Sequence, residues 1–429
     1  MDYKETIDYI HNRSRFNRGK GLDRITKLLK ELGDPQLSLK CIHIAGTNGK
    51  GSTTAMISSI LLAQGYKVGM FTSPYLEEFE ERIQINGINI RKTRLCQVMS
   101  KVAKAEKVVN VTGSDTPTEF EIITAAMFLF FHEENVDYAV IEVGLGGRLD
   151  PTNIITPLLS VITSISYDHM SLLGNSIEEI AGEKAGIIKA DVPIVSYPQQ
   201  KEARSVIERV ASEKNSRLIM VNEDSGELLK VEEKYQVVKV NTEKSSYTLP
   251  LALLGKIQIY NCAVAIHTIE TLMDLGVKIN GEAIYEGLKN VTWKGRMELM
   301  RTNPYVLLDG AHNIDGIVKL AESIDLYFKY KKLYLIIGIL EDKQLDAMLE
   351  TITAKAEKVI AVSPNSFRAE SADKLRDRIL KYNSNVLAMK TYEEALNYGI
   401  SLCNEDDLLV ICGSLYMVGD MRKTIKKLS

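Results

Sequence analysis

The run Gly46-Thr47-Asn48-Gly49-Lys50-Gly51-Ser52 falls between an apolar segment at 40–45 and helical apolar spacing over 50–64. A glycine-rich turn from a buried strand into a helix gathers backbone N–H groups at the positive end of the helix dipole. Phosphate oxygens bind there. Lys50 adds a mobile ammonium that reaches terminal phosphates, and hydroxyl side chains complete the cradle. The segment therefore implies a nucleotide-phosphate site on an α/β layer. It departs from the general P-loop in one respect. That motif places four residues between its first glycine and the Gly-Lys pair, whereas only Thr47 and Asn48 intervene here.

Strand-like and helix-like segments alternate through most of the chain, the signature of parallel α/β layers. Strands are expected at 40–45, 67–71, 138–143, 158–164 and 193–196, with helices at 50–64, 118–133 and 177–189. The last helix opens on a capping box, Ser176 with Glu179. Residues 217–250 change to short alternating segments (235–241, 246–251) that read as antiparallel, and helices follow at 260–275 and 280–289. Beyond Trp293-Lys294-Gly295-Arg296 a second α/β series places strands at 305–309, 333–338, 358–362 and 408–412, with helices at 314–328, 372–381 and 392–404. A chain of 429 residues exceeds one hydrophobic core. Two domains are expected: 1–295, a P-loop ATPase domain with a parallel-rich sheet, and 296–429, a smaller Rossmann-like α/β domain. The second series has no P-loop of its own and is read as supplying a second substrate site.

The formal net charge of -3 gives no global pull toward nucleic acid or an acidic membrane. The first residues lack the apolar stretch of a secretory signal, and the strongest apolar run, 122–131, is too short to span a bilayer. It reads as half of a buried helix. Five scattered cysteines without a CxxC pair indicate neither a disulfide framework nor a zinc site, and Cys41, Cys262 and Cys412 read as core. A cytoplasmic monomer is expected.

Ligands of open parallel sheets bind at the carboxyl ends of the strands, so the segments after each strand matter most. Thr72-Ser73-Pro74-Tyr75 follows the second strand, Gly144-Leu145-Gly146-Gly147-Arg148-Leu149-Asp150 the third, and Tyr167-Asp168-His169 the fourth. Glu142 occupies the strand-end position at which P-loop enzymes hold an acidic metal ligand. Magnesium prefers carboxylate, hydroxyl and water oxygens, so Glu142 and Ser73 suit it, and His169 is a less usual ligand. A solvated strand-end glutamate and a serine opening a turn before proline are the competing readings. In the second series Asp309-Gly310-Ala311-His312-Asn313 and Gly413-Ser414-Leu415-Tyr416 each turn from a strand into a helix. They suit either ligand binding or simple capping.

Three stretches together carry a family resemblance: 43–53, the run from Glu142 through Gly146-Gly147 to Asn153, and 309–313. They resemble folylpolyglutamate synthase, within the Mur ligase superfamily of ATP-dependent amide-forming ligases. The likeness runs from about Asn17 to Gly419, and the shortened P-loop is a mark of that family. It implies that Thr47, Asn48, Gly49, Lys50, Gly51 and Ser52 wrap the ATP phosphates and that Asn261, Arg296 and Asp309 contact the nucleotide. Ser73, Glu142 and His169 match magnesium ligands. Lys184 matches a lysine that is carbamylated in relatives and helps hold a second Mg2+. His312 and Ser414 match positions for the incoming amino acid, with Lys50, Lys184, Asp309 and His312 as the catalytic set. Tyr75, Thr118 and Glu121 fall on the folate side, although a helix N-cap explains Thr118 and Glu121 equally well. Asp342-Lys343-Gln344 departs from relatives, which often carry a second Asp.

The resemblance also implies the chemistry. ATP phosphorylates a folate carboxylate, the α-amine of L-glutamate attacks the acyl phosphate, and phosphate leaves. The acceptor is a reduced folate such as tetrahydrofolate, or dihydropteroate in relatives that make dihydrofolate. A muramoyl amino-acid ligase is the nearest alternative, but it carries a nucleotide-sugar domain for which the residues before Gly46 leave no room. A P-loop switch protein is the alternative of another class, and the chain has no Asn-Lys-x-Asp guanine motif.

Overall fold

The computed structural model describes residues 1–14, 21–109, 116–232, 234–340, 345–366 and 369–428. Asn17 and Asp342-Lys343-Gln344 lie outside them. The described residues form two compact units. The first comprises Met1–Glu227, Val238–Pro250 and Tyr260–Val291, and the second Leu228–Val237, Leu251–Ile259 and Thr292–Ser429.

The first unit is organised by an eight-stranded sheet. Its strands are β1 (Cys41–Ala45), β2 (Val68–Phe71), β3 (Ile83–Ile85), β4 (Ile88–Asn89), β5 (Tyr138–Glu142), β6 (Leu159–Ile162), β7 (Ile194–Ser196) and β8 (Leu218–Met220). They lie in the order β4-β3-β2-β5-β1-β6-β7-β8. The six strands from β2 to β8 in that order run parallel, with β3 and β4 antiparallel at one edge. β1, β5 and β6 are buried on both faces, which is why they read as unbroken apolar runs rather than alternating ones. The chain order breaks beside β1, whose neighbours are β5 and β6, so the loops after these three strands share one edge.

The hairpin β3–β4 was absent from the sequence reading although its signal is present. Asn86-Gly87 links two isoleucine-bearing pairs, and both turn residues adopt positive φ, +53 and +74. Helix Glu119–Glu133 contains the 122–131 run, every residue of it buried. Its apolar surface goes all round because it is enclosed by core. Among the described residues no helix is long and apolar enough to cross a membrane. The helix expected over 177–189 stops earlier, at Ala185.

A three-stranded sheet of order β11-β10-β9 follows, from β9 (Gly226–Val231), β10 (Gln236–Asn241) and β11 (Ser246–Leu251). The second unit is built on β12 (Glu298–Thr302), β13 (Tyr305–Leu308), β14 (Leu333–Ile337), β15 (Lys358–Ala361), β16 (Val386–Ala388) and β17 (Leu408–Cys412), in the order β12-β13-β17-β14-β15-β16. All pairings are parallel except that of β12 with β13. Because β13 and β17 are neighbours, the turns that follow them meet. Asp309 N donates to Ile411 O at 3.0 Å and Gly413 N to Ala311 O at 2.9 Å.

Candidate functional site

In the first unit the short P-loop is braced by the segment after β6. Thr47 N donates to Ser164 O at 2.7 Å, Thr47 Oγ1 donates to Ser166 O at 3.0 Å, and Asn48 Nδ2 reaches Ser166 Oγ at 3.4 Å. Two features explain the glycines. A Cβ on Gly46 would collide with Thr163 Oγ1, and Gly49 caps helix Lys50–Ala63 with φ +86, its absent Cβ 2.5 Å from Asn261 Oδ1. Asn261 therefore sits against the loop from 212 positions further along the chain. Gly46→Ala must push the loop off Thr163. Its affinity for ADP, read by calorimetric titration, is expected to fall at least ~10-fold, about 1.4 kcal/mol. Unchanged ADP binding would show that the loop does not depend on this close approach.

Lys50 Nζ donates to Gly46 O at 3.1 Å and Thr47 O at 3.2 Å, and lies 4.0 Å from Glu142 Oε1. Glu142 ends β5 and is 4% exposed. Its Oε2 accepts from Ser73 N at 3.2 Å, so the structure brings Ser73, Glu142 and Lys50 together. His169 stands in the loop after β6 in a left-handed conformation, its Nε2 3.9 Å from Asp168.

Among the described residues no three His, Cys, Asp or Glu side chains cluster as a metal site. A buried carboxylate beside a serine at the carboxyl edge suits magnesium by donor chemistry.

Lys184, near the end of helix Ile177–Ala185, is 3% exposed and donates to Gly46 O at 2.9 Å. Burial and the neighbouring Lys50 ammonium lower its pKa to about 7, against the pull of Asp168 and Glu183. The Gly146-Gly147 loop packs on the same helix end: Arg148 N donates to Glu183 O at 2.7 Å, and a Cβ on Gly147 would stand 2.7 Å from that carbonyl.

Sequence reasoning missed the device that holds this loop. Asp150 is buried, and its carboxylate accepts from Leu145 N at 2.8 Å, Thr152 N at 3.0 Å and Thr152 Oγ1 at 2.5 Å. Since Thr152 gives its proton to Asp150, His43 Nε2 must donate to Thr152 Oγ1, at 2.8 Å. Burial and Lys189 lower the His43 pKa to about 3, so the ring is neutral. The Asp-x-Thr spacing after the glycines was the available signal, since Asp caps its own turn two residues on.

Of the folate-side candidates, Thr118 and Glu121 form a capping box at helix Glu119–Glu133. Arg24 Nε also donates to both Glu121 oxygens at 3.1 Å, an ion pair shut away from solvent. Glu121 thus serves both the helix cap and the Arg24 ion pair. Tyr75 stacks under the Arg82 guanidinium, 5.2 Å from the ring centroid, and edge-on to Phe79.

The second unit has its own cluster. Asp309 is buried and accepts from Met297 N at 2.9 Å and Ala311 N at 2.7 Å. Burial pushes its carboxyl up, against Arg296, the two amides and His312. His312 Nδ1 lies 2.8 Å from Gly310 O. A carbonyl only accepts, so Nδ1 carries the proton and a neutral ring keeps Nε2 as an acceptor. Ser414 Oγ is buried with no hydrogen-bond partner among the described residues, the condition of a hydroxyl that meets a ligand. Asn313 caps the following helix through Gly316 N.

Two known protein families match this chain. The Mur ligase middle domain family matches residues 44–269, and the Mur ligase glutamate ligase domain family matches residues 295–415. The dihydrofolate synthase/folylpolyglutamate synthase of Bacillus subtilis is 38% identical over 99% of both chains. The folylpolyglutamate synthase of Lacticaseibacillus casei is 34% identical, also over 99% of each. The structure of Mycobacterium tuberculosis folylpolyglutamate synthase complexed with ADP superposes with a TM-score of 0.92, at 30% identity over 99% of this chain and 98% of that one.

Proposed function

This chain belongs to the folylpolyglutamate synthase/dihydrofolate synthase family of Mur ligases and is an ATP-dependent ligase of that type, and from that premise we propose how its residues divide the work. Thr47, Asn48, Gly49, Lys50, Gly51 and Ser52 hold the ATP phosphates, and Asn261, Arg296 and Asp309 serve the nucleotide. Residues 1–295 carry ATP and the folate, and 296–429 the glutamate. The observation that carries the reading is the Lys50 ammonium, pinned by two loop carbonyls 4.0 Å from Glu142.

The γ-phosphoryl group of ATP passes to an oxygen of the folate carboxylate, releasing ADP. The neutral α-amine of glutamate then attacks the acyl carbon, the C–O bond to phosphate breaks, and an amide remains. Lys50 neutralises charge that builds on the transferring phosphoryl group. In this reading His312 takes the proton the amine loses, and Ser414 Oγ binds the amino acid. Ser73, Glu142 and His169 would hold magnesium, whose chemistry is to neutralise phosphate charge. For the folate we retain Tyr75, with Thr118 and Glu121 shaping the wall rather than bonding to the ligand.

We place a carbamate on Lys184, where it would hold a second magnesium ion. Only a neutral amine adds CO2. At a pKa of about 7 roughly half of Lys184 is neutral at pH 7, against about 1 in 10³ for an ordinary lysine. The neutral fraction falls as pH drops, so at fixed dissolved CO2 the modification is expected to weaken below pH 7. Activity lost on CO2 removal and restored by bicarbonate is the expected result, with an intact mass one carbamate heavier. Indifference to bicarbonate together with an unmodified mass would exclude it.

The B. subtilis relative carries both synthase names, so we assign this chain both acceptors, dihydropteroate and tetrahydrofolate. Separate assays of purified protein with each acceptor, glutamate and ATP are expected to give ADP and a glutamylated product in both. Product from tetrahydrofolate alone would remove the second activity. ATP hydrolysis that ignores both acceptors and glutamate would remove the ligase assignment.

A further inference from the structure

Arg296 stands between two residues in left-handed conformation, Gly295 at φ +69 and Met297 at φ +45. Such a backbone is unfavourable for any residue with a Cβ, so the Met297 geometry has to be imposed by its surroundings. A carboxylate holds each flank. Met297 N donates to Asp309 Oδ2 at 2.9 Å, and Gly295 N donates to Glu298 Oε2 at 2.7 Å. Glu298 pairs in register with Leu308 across β12 and β13, so the two carboxylates stand one residue apart in register, Asp309 just beyond the end of β13.

Glu298 is itself clasped from the C-terminal helix Leu415–Leu428. Arg422 Nε lies 2.9 and 3.0 Å from its two oxygens, and Nη2 lies 2.7 Å from Oε1. The pair is largely screened from water, with side chains 10% and 20% exposed, so its geometry is firm. The guanidinium of Arg296 is also confined. Its Nη1 donates to Gly295 O at 3.0 Å, the carbonyl that Gly310 N also reaches at 2.8 Å, and a Cβ on Gly310 would collide with that nitrogen. A shift of the 295–297 turn therefore moves the arginine head.

We propose that Glu298 and Arg422 are positioning residues for Arg296. The ion pair fixes the left-handed turn and so aims the guanidinium. This rests on the reading that Arg296 serves the nucleotide. A plain staple of β12 to the C-terminal helix is the competing role, and it would act whether or not Arg296 is present.

The test is a double-mutant cycle on kcat/KM for ATP at saturating folate and glutamate, with thermal midpoints recorded for every variant. Arg296→Ala and Glu298→Gln are each expected to lower kcat/KM for ATP by ~10- to 100-fold, the cost of misplacing a charged group, while KM for glutamate stays the same. In the Arg296→Ala background Glu298→Gln is expected to cost less than ~2-fold, because coupled residues are not additive. Arg422→Lys keeps the charge but loses the two-pronged contact, and it is expected to repeat this pattern should Glu298→Gln not fold. If both variants cost the same factor with and without Arg296, or cost nothing with it, the positioning role is wrong while Arg296 keeps its own. If Arg296→Ala alone is normal toward ATP, the assignment of Arg296 fails and the inference falls with it.

Discussion

Lys50→Ala is expected to cut ATP-dependent ligation by ~10² to 10³, the usual worth of one preorganised charge at a transferring group. The thermal midpoint should hardly move. Among the described residues the Lys50 ammonium bonds to two carbonyls of its own loop and lies 4.0 Å from Glu142, so no core contact is lost. A second readout follows from electrostatics. Lys50 is one of the two influences that lower the Lys184 pKa, after burial itself, so its removal should raise that pKa above about 7. Steady-state ligation equal to wild type at saturating ATP would sink the assignment of Lys50.

Glu142→Gln is the second large effect. The amide keeps the shape and can still accept from Ser73 N, but it is a poor magnesium ligand. The magnesium concentration for half-maximal turnover is expected to rise by at least ~10- to 100-fold, since even outer partners of metal ligands cost that much. The variant should fold, because the charge left behind, Lys50, is partly exposed rather than sealed in the core. A magnesium titration superimposable on wild type would exclude Glu142 as a ligand.

Most of the layer structure was legible because buried parallel strands and amphipathic helices write themselves into short stretches. Strands β1, β5 and β17 fall within a residue or two of the expected bounds, since their apolar runs have one interpretation. Among the strands, those that went unread were short or marginal: the β3–β4 hairpin, the edge strands β8, β9 and β12, and β16 with three half-buried residues. Edge strands bury one face or less and leave little apolar pattern to detect. The capping box at Thr118 was readable as local chemistry. Its partner was not, because Arg24 lies 97 residues from Glu121.

The P-loop, the glycine run after Glu142 and the 309–313 turn were fixed by the sequence alone. Each is a contiguous stretch whose backbone needs and chemistry are local. Only tertiary structure could decide how those groups are solvated and aimed. Lys184 reads as an ordinary helix-surface lysine until the fold buries it against Gly46 O, 138 residues away, beside a second ammonium. Arg296 reads as a polar residue in a turn until Glu298, Asp309 and Arg422 converge on its flanks. Protonation and direction depend on which distant groups share a low-dielectric space, and the chain acquires that space only when its sheets close.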